Sequence, residues 1–103
     1  MNRIEAIKEM LKNDPSDSFL IYALALEYEK TNQLNKAVLI LEELKSTQPN
    51  YLPTYYKLGK LYELLLNNVA AVAVYKLGLV VAKAQSEMKT LGELNEAIVN
   101  LED

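Results

Sequence analysis

The sequence predicts an all-α fold of about six helices arranged as antiparallel hairpins, and three observations carry that prediction. The chain repeats itself with a period of 34 residues: laid over 49–82, residues 15–48 match identically at seven positions, Pro15/Pro49, Tyr22/Tyr56, Leu24/Leu58, Tyr28/Tyr62, Glu29/Glu63, Ala37/Ala71 and Val38/Val72. Other pairs match in kind, with Ile21/Tyr55 and Leu41/Tyr75 large and Ala25/Gly59 small. Apolar residues also recur at helical spacing through almost the whole chain, with only short breaks between stripes. A period in the thirties with small residues at fixed offsets from large ones marks stacked helical hairpins.

Each element follows from its own residues. Ile4, Ile7, Met10 and Leu11 make residues 2–13 an amphipathic helix that ends at Asn13-Asp14-Pro15. Ser16 or Asp17 caps the next helix, whose buried stripe is Ile21, Leu24, Ala25 and Tyr28. Thr31-Asn32-Gln33 breaks it, and a third helix over about 35–47 carries Ala37, Val38, Leu41 and Leu44, followed by Pro49. The second copy gives a helix over 53–66 with Tyr55, Leu58, Gly59 and Tyr62, a turn at Asn67-Asn68, and a helix from Val69. With no proline at position 83, that helix is expected to run on to about Gln85. A last helix is expected to start at Thr90, where Thr90-x-x-Glu93 forms a capping box with Gly92 in its turn, and to bury Leu91, Leu94, Ile98 and Leu101. The first helix aligns with the second helix of a repeat, because Ile4, Ile7 and Met10 fall at the places of Val38, Leu41 and Leu44. The chain therefore divides into a half-repeat (2–14), two repeats (15–48 and 49–82) and a helix extension with a capping helix (83–103), all in a single domain over 1–103.

Composition narrows the function classes. The 103 residues contain no cysteine and no histidine, which removes thiol nucleophiles, disulfides, imidazole bases and nearly every zinc, iron or copper site. A formal charge of −3 and an isoelectric point near 5.0 argue against a nucleic-acid face. The most apolar stretch, Leu64 to Ala82, is interrupted by Asn67, Asn68, Lys76 and Gly78 and reads as two helix pieces, so no membrane span is expected. The N-terminus carries charges every few residues and no apolar signal core, so the expected location is cytoplasmic. No glycine-rich phosphate loop is present, and paired carboxylates exist but nothing in the sequence places them in a cleft. The expectation is a non-enzymatic protein without catalytic residues, cofactor or metal. Charge runs such as Glu42-Glu43 and Glu102-Asp103 read as solvated surface.

The repeat positions resemble those of the tetratricopeptide repeat family. That pattern asks for a large residue, Leu, a small residue and Tyr on the first helix, then Ala, a large residue, a small one and Pro on the second. The first copy supplies Ile21, Leu24, Ala25, Tyr28, Ala37, Leu41 and Pro49, with Leu44 larger than the pattern expects. The second supplies Tyr55, Leu58, Gly59, Tyr62, Ala71, Tyr75 and Gly78 and lacks the final proline. The resemblance covers about 70 residues and implies a right-handed superhelix of antiparallel helix pairs. These positions read as core: Ala25 and Gly59 let the partner helix approach, Ala37 and Ala71 fill the facing positions, and Tyr28 and Tyr62 bridge to a neighbouring hairpin.

The resemblance also implies that the first helices of the hairpins line a concave face that holds a protein or peptide. Residues one position off the core stripe point there: Phe19, Tyr22, Leu26, Glu29 and Lys30 in the first copy, and Tyr56, Lys57, Lys60, Glu63 and Leu64 in the second. Tyr22 and Tyr56 with Phe19 and Leu26 would form an aromatic and apolar patch, and Lys57 and Lys60 could meet a partner carboxylate. The plainer alternative has Phe19 and Tyr22 lying against the N-terminal half-repeat as local packing. Members of the family that clamp a C-terminal carboxylate carry Lys and Asn where this chain has Tyr22 and Leu26, so no such clamp is expected. The helix from Val69 is apolar on its outer side as well, at Val69, Ala73, Leu77, Val80 and Val81. The capping helix can cover part of this excess, at Leu77 and Val81, and Val69, Ala73, Leu77 and Val80 are the candidate self-association residues for a homodimer. The favoured reading is a protein–protein interaction scaffold, and the alternative is a structural homo-oligomer.

Overall fold

A computed structural model describes residues 1–102 as six α-helices, and among these residues there is no strand. Asp103, which falls in the charge-run reading above, lies outside them. The helices are α1 (Arg3–Asn13), α2 (Ser18–Lys30), α3 (Leu34–Thr47), α4 (Pro53–Leu64), α5 (Asn68–Ala84) and α6 (Met88–Glu102). They group into two compact units, Met1–Tyr51 and Leu52–Asp103. In the first, α1 packs on α2 and α2 on α3; in the second, α4 packs on α5 and α5 on α6.

The starts of the helices follow from short polar side chains. Asn2 accepts from the Glu5 amide at 2.8 Å, Asp17 from Leu20 at 3.0 Å and Asn67 from Ala70 at 3.1 Å, each satisfying a donor that the first turn leaves without an intrahelical partner. Pro53 opens α4, where its missing N–H costs nothing. The ends of α2, α4 and α5 share one device. Asn32, Leu66 and Ser86 take positive φ (60°, 61° and 57°), and the following amides of Gln33, Asn67 and Glu87 donate back to Tyr28, Tyr62 and Ala82 at 2.8–2.9 Å. This is the Schellman arrangement, which returns the chain sharply toward the next helix. It also corrects one expectation. The turn at Ser86 reverses the chain so soon that α6 begins at Met88, with the Leu91 amide donating to the Glu87 carbonyl at 3.0 Å. Thr90 and Gly92 therefore lie inside α6, and the Thr90/Glu93 capping box does not form.

In the first unit the core is Ile7, Leu24, Ala25, Tyr28, Ala37, Leu41 and Leu44. Each large apolar side chain there contributes roughly 1.5–3 kcal/mol by leaving water. Met10 and Ile21, assigned to the stripe by sequence, remain partly exposed. The α1–α2 contact has a polar component that sequence did not suggest. Glu27 is almost fully covered, and its carboxylate meets Arg3 of α1 at 3.3 Å and Lys30 at 3.2 Å. Burial by itself would raise the Glu27 pKa; the hydrogen bonds and charges of Lys30 and Arg3 outweigh it and hold the carboxyl below its ordinary value of 4.5. Tyr28 lies between two cations, with Lys8 of α1 at 5.7 Å and Lys36 of α3 at 5.5 Å from its ring centre. The Gln48 side chain latches the start of α2 to the end of α3: its amide donates to the Ser16 carbonyl at 2.8 Å and its oxygen accepts from the Ser18 hydroxyl.

In the second unit the core repeats the plan with the sizes exchanged. Tyr75 stands where Leu41 stood and Gly59 where Ala25 stood, and a Cβ on Gly59 would fall within the Tyr75 ring. Tyr55 replaces Ile21 and Gly78 replaces Leu44, and a Cβ on Gly78 would lie 2.7 Å from the Tyr55 Cβ and 3.0 Å from Leu94 of α6. Leu58, Leu61, Ala71, Val74, Ala82, Leu94, Ala97 and Ile98 complete this core. Tyr62, expected in the stripe, is half-buried, and Leu61 takes the fully buried place.

Two measurements check this packing. Gly59→Ala should cost about 1–3 kcal/mol, because the buried Tyr75 ring has nowhere to retreat. Gly92→Ala, whose Cβ would meet nothing within 4 Å, should add about 0.5–1 kcal/mol. Thermal denaturation followed by circular dichroism should therefore move in opposite directions for the two, and a neutral Gly59→Ala would refute the seating of Tyr75. The second concerns acid. Because the folded-state pKa of Glu27 is depressed, its contribution is complete above the ordinary carboxyl value of 4.5 and is lost as pH falls through the folded value. The urea midpoint should decline across that acid window, and Glu27→Gln should be less stable at neutral pH and decline less. Parallel curves for the two proteins would count against the pairing.

Candidate functional site

The contact residues expected on the first helix of each repeat are carried by α2 and α4. Unit 1 places Phe19, Tyr22, Leu26 and Glu29 on α2. Phe19 is 68% exposed and Leu26 half-buried. Tyr22 is half-buried because its ring meets that of Tyr51 edge-on, with centroids 6.0 Å apart and planes at 62°. Partial burial first, then the neighbouring Tyr51 and Glu29, raise the Tyr22 hydroxyl above its ordinary pKa. Lys30 is drawn off to Glu27. Tyr51, which braces Tyr22, had no place in the sequence reading, because it lies in the connection after Pro49 and outside any helical stripe. A larger cleft of about 620 Å³ in this unit is lined by Ile21, Leu24, Ile40 and Leu44 among others, and none of the expected contact residues borders it.

Unit 2 places Tyr56, Lys57, Lys60 and Glu63 on α4 and knits three of them together. The Tyr56 ring tilts against Tyr75 at 6.1 Å, the Lys60 ammonium lies 5.2 Å from the Tyr56 centroid, and Lys60 reaches Glu63 at 3.5 Å. The buried Tyr75 hydroxyl donates to Glu63. Burial chiefly, then this bond and the charge of Glu63, push the Tyr75 hydroxyl far above its ordinary pKa, so it remains a neutral donor. Tyr56 and Lys60 also line a cleft of about 180 Å³ with Glu93, Glu96, Ala97 and Asn100 of α6. The sequence reading did not place these α6 residues among the contact residues. Their spacing of three and four marks one helix face, but only the packing of α6 shows that this face borders Tyr56. The cleft combines an aromatic ring with charges of both signs, a composition suited to a polar peptide or side chain.

The self-association candidates lie on the outer side of α5. Val69 is 85% exposed, Leu77 50% and Val80 68%, and Ala73 is exposed as well. The α6 helix leaves Leu77 half open and Val81 partly covered. The preceding turn adds Leu66, exposed and in the left-handed conformation. No helix among the described residues is long and apolar enough to cross a membrane.

The solution NMR structure of a tetratricopeptide repeat domain protein from Salinibacter ruber is 43% identical to this chain, with a TM-score of 0.83 over 86% of this chain and 90% of that one. The crystal structure of the tetratricopeptide repeat domain protein from Salinibacter ruber gives 42% identity and a TM-score of 0.80, over 84% and 97%. The chain belongs to the tetratricopeptide repeat family. A Bordetella parapertussis protein solved in solution shares the fold at 21% identity, with a TM-score of 0.83 over 98% of this chain and 88% of that one. No family model and no curated protein matches the chain. Membership supports a protein–protein interaction module in the general sense. The tetratricopeptide positions read from sequence carry the small-to-large contacts described above, Gly59 against Tyr75 and Tyr55 against Gly78.

One substitution tests the α4 cluster. Tyr75→Phe removes the hydroxyl that donates to Glu63 and should lower stability by about 1.5–3 kcal/mol, the range for a hydrogen bond to a charged group. In spectrophotometric titration at 295 nm, where phenolates absorb, the wild type should hold back one more tyrosine than this variant until alkali opens the fold.

Proposed function

We propose that this tetratricopeptide repeat protein captures a protein or peptide through the tyrosine-bearing faces of α2 and α4. One observation carries the reading. The repeat places a tyrosine at the same position in each copy, Tyr22 and Tyr56, and each is half-buried against a second aromatic ring, Tyr51 or Tyr75, while remaining partly exposed. A braced aromatic loses little conformational freedom on binding, which is why such residues dominate the energetics of contact surfaces. Phe19, Leu26 and Glu29 flank the first tyrosine, and Lys57, Lys60 and Glu63 the second. Around each tyrosine, apolar surface supplies contact area and charged side chains set orientation. Membership of a family of interaction modules supports the class of function, and the residue assignment is our own.

A second reading, self-assembly into a structural homo-oligomer, is favoured by a separate observation: Val69, Ala73, Leu77 and Val80 of α5 expose apolar surface that their own unit leaves uncovered.

Peptides selected from a displayed random library on the immobilised wild-type protein test the first reading. Tyr22→Ala with Tyr56→Ala should weaken the selected peptides at least about tenfold, the equivalent of 1.4 kcal/mol, with a modest fall in melting temperature. Leu39→Ala, an exposed residue of α3, should leave binding unchanged. Undiminished binding by the folded double variant would sink the assignment, and a collapse of stability would show that both tyrosines serve the core.

A further inference from the structure

The outer side of α5 has a pattern finer than general hydrophobicity. At 100° per residue, Val69, Ala73, Leu77, Val80 and Ala84 fall within an arc of about 80°, forming a stripe about 22 Å long. All five are exposed and none is polar. The opposite side of the helix, at Ala71, Val74, Tyr75, Gly78 and Ala82, is buried in its own unit. The stripe thus faces away from the fold.

We propose that two copies of this chain pair through this stripe, with their α5 helices antiparallel about a two-fold axis beside Leu77. The inference rests on the self-assembly reading above and adds its geometry. Three features select a second copy as the occupant, in that orientation. In the antiparallel register Val69 of one copy faces Ala84 of the other and Ala73 faces Val80, so each valine meets an alanine, while Leu77 lies next to its own counterpart. A parallel register sets Val69 on Val69 and Ala73 on Ala73, leaving bulk opposite bulk and gaps opposite gaps. The antiparallel arrangement also sets the positive N-terminal end of each α5 beside the negative C-terminal end of the other, where a parallel pair would set like ends together. The charge nearest the axis is already compensated: Lys76 pairs with Glu102 of its own α6 at 3.4 Å.

The ends of α5 are complementary in the same sense. Its start is preceded by Leu66, 91% exposed and held at φ 61°, a conformation that disfavours leucine. Beyond its C-terminal half lies an apolar groove of about 430 Å³, lined by Leu79, Val80, Met88 and Leu91 with Lys83 and Asn95. Antiparallel pairing brings the start of each helix to the end of its partner, and so brings each protruding leucine to the groove end of the other copy.

The chain has no cysteine, so introduced thiols are unique reporters of register. By light scattering behind a sizing column, the wild type should approach twice its 11.7 kDa mass as concentration rises. Val69→Glu with Val80→Glu should raise the concentration needed at least about tenfold, with an unchanged helical circular dichroism spectrum. Under mild oxidation Leu77→Cys should cross-link to itself. Val69→Cys should not, but should cross-link when mixed with Ala84→Cys, since a disulfide requires Cα atoms within about 7 Å. A wild type that stays monomeric at every concentration overturns both the pairing and the self-assembly reading. A dimer that cross-links through Val69→Cys alone overturns the antiparallel geometry and leaves self-assembly standing. A dimer indifferent to the paired glutamates overturns the use of this face.

Discussion

The structure of the second unit depends on one steric constraint: Tyr75 occupies space that Gly59 leaves empty. The first unit carries Leu41 and Ala25 at the corresponding positions, both buried. Moving bulk from one helix to the other keeps the filled volume nearly constant, which is the kind of exchange a close-packed interior tolerates. The Tyr55/Gly78 exchange makes the opposite transfer across the same helix pair, and Leu94 of α6 closes over it. Consequences reach the surface. With its ring seated at Gly59, Tyr75 sends its hydroxyl to Glu63, Glu63 holds Lys60, and Lys60 lies over Tyr56, whose ring rests on Tyr75. A core contact thereby sets the orientation of three side chains proposed to meet a partner. The first unit has no such chain, since Leu41 brings no hydroxyl to its surface, and Tyr22 is braced by Tyr51 instead.

What the sequence made legible and what it concealed divide along a physical line. Repeated small-to-large pairs are visible because close packing of helices leaves the same residue sizes at the same offsets in every copy, and Ala25, Ala37, Leu41, Leu58, Ala71 and Tyr75 are all buried as read. Helix starts at Asp17 and Asn67 are legible because the cap is a local hydrogen bond. The start of α6 was misread because Thr90 and Glu93 have capping-box spacing, but the backbone reversal at Ser86 had already brought the chain into position at Met88. A residue forced into positive φ by a Schellman turn leaves little trace in sequence when it is Ser or Leu, not Gly. The contact residues were legible as a helix face only. Tyr51, Glu93, Glu96 and Asn100 come to Tyr22 and Tyr56 from connections and helices whose placement is tertiary. Glu27 was hidden for the same reason, since its partner Arg3 lies on another helix.

The α5 helix departs from the rule that governs its neighbours. Its inner side obeys the repeat, and Ala71, Tyr75, Gly78 and Ala82 are as deeply buried as a core requires. Its outer side places Val69, Leu77 and Val80 in water, and Leu66 before it takes a left-handed conformation that in the first repeat belongs to Asn32. Asparagine tolerates that geometry and leucine does not. The positive φ of Leu66 closes the turn after α4, but the exposed side chains of Leu66, Val69 and Val80 add nothing to the core of the unit. Residues of this kind, unfavourable for the isolated chain, make physical sense when their burial occurs in another contact.

The two proposed surfaces are compatible because they occupy different elements. The stripe lies on the side of α5 turned away from its own core, whereas Tyr56 and Lys60 open into a cleft against α6. Pairing through α5 would not need to displace anything from that cleft, so a dimer would carry two copies of each tyrosine-bearing face. That arrangement bears on affinity. A contact built on one or two half-buried tyrosines with a 180 Å³ cleft is small, and small contacts of this kind bind weakly alone. Two such contacts held on one body convert the second binding event into an intramolecular one, which raises the strength of capture by about 10²–10⁴ for a partner that repeats its own motif and not at all for a partner that presents it once. Self-association would then act as part of the recognition mechanism, selecting for multivalent partners by doubling the number of tyrosine-bearing faces on one body.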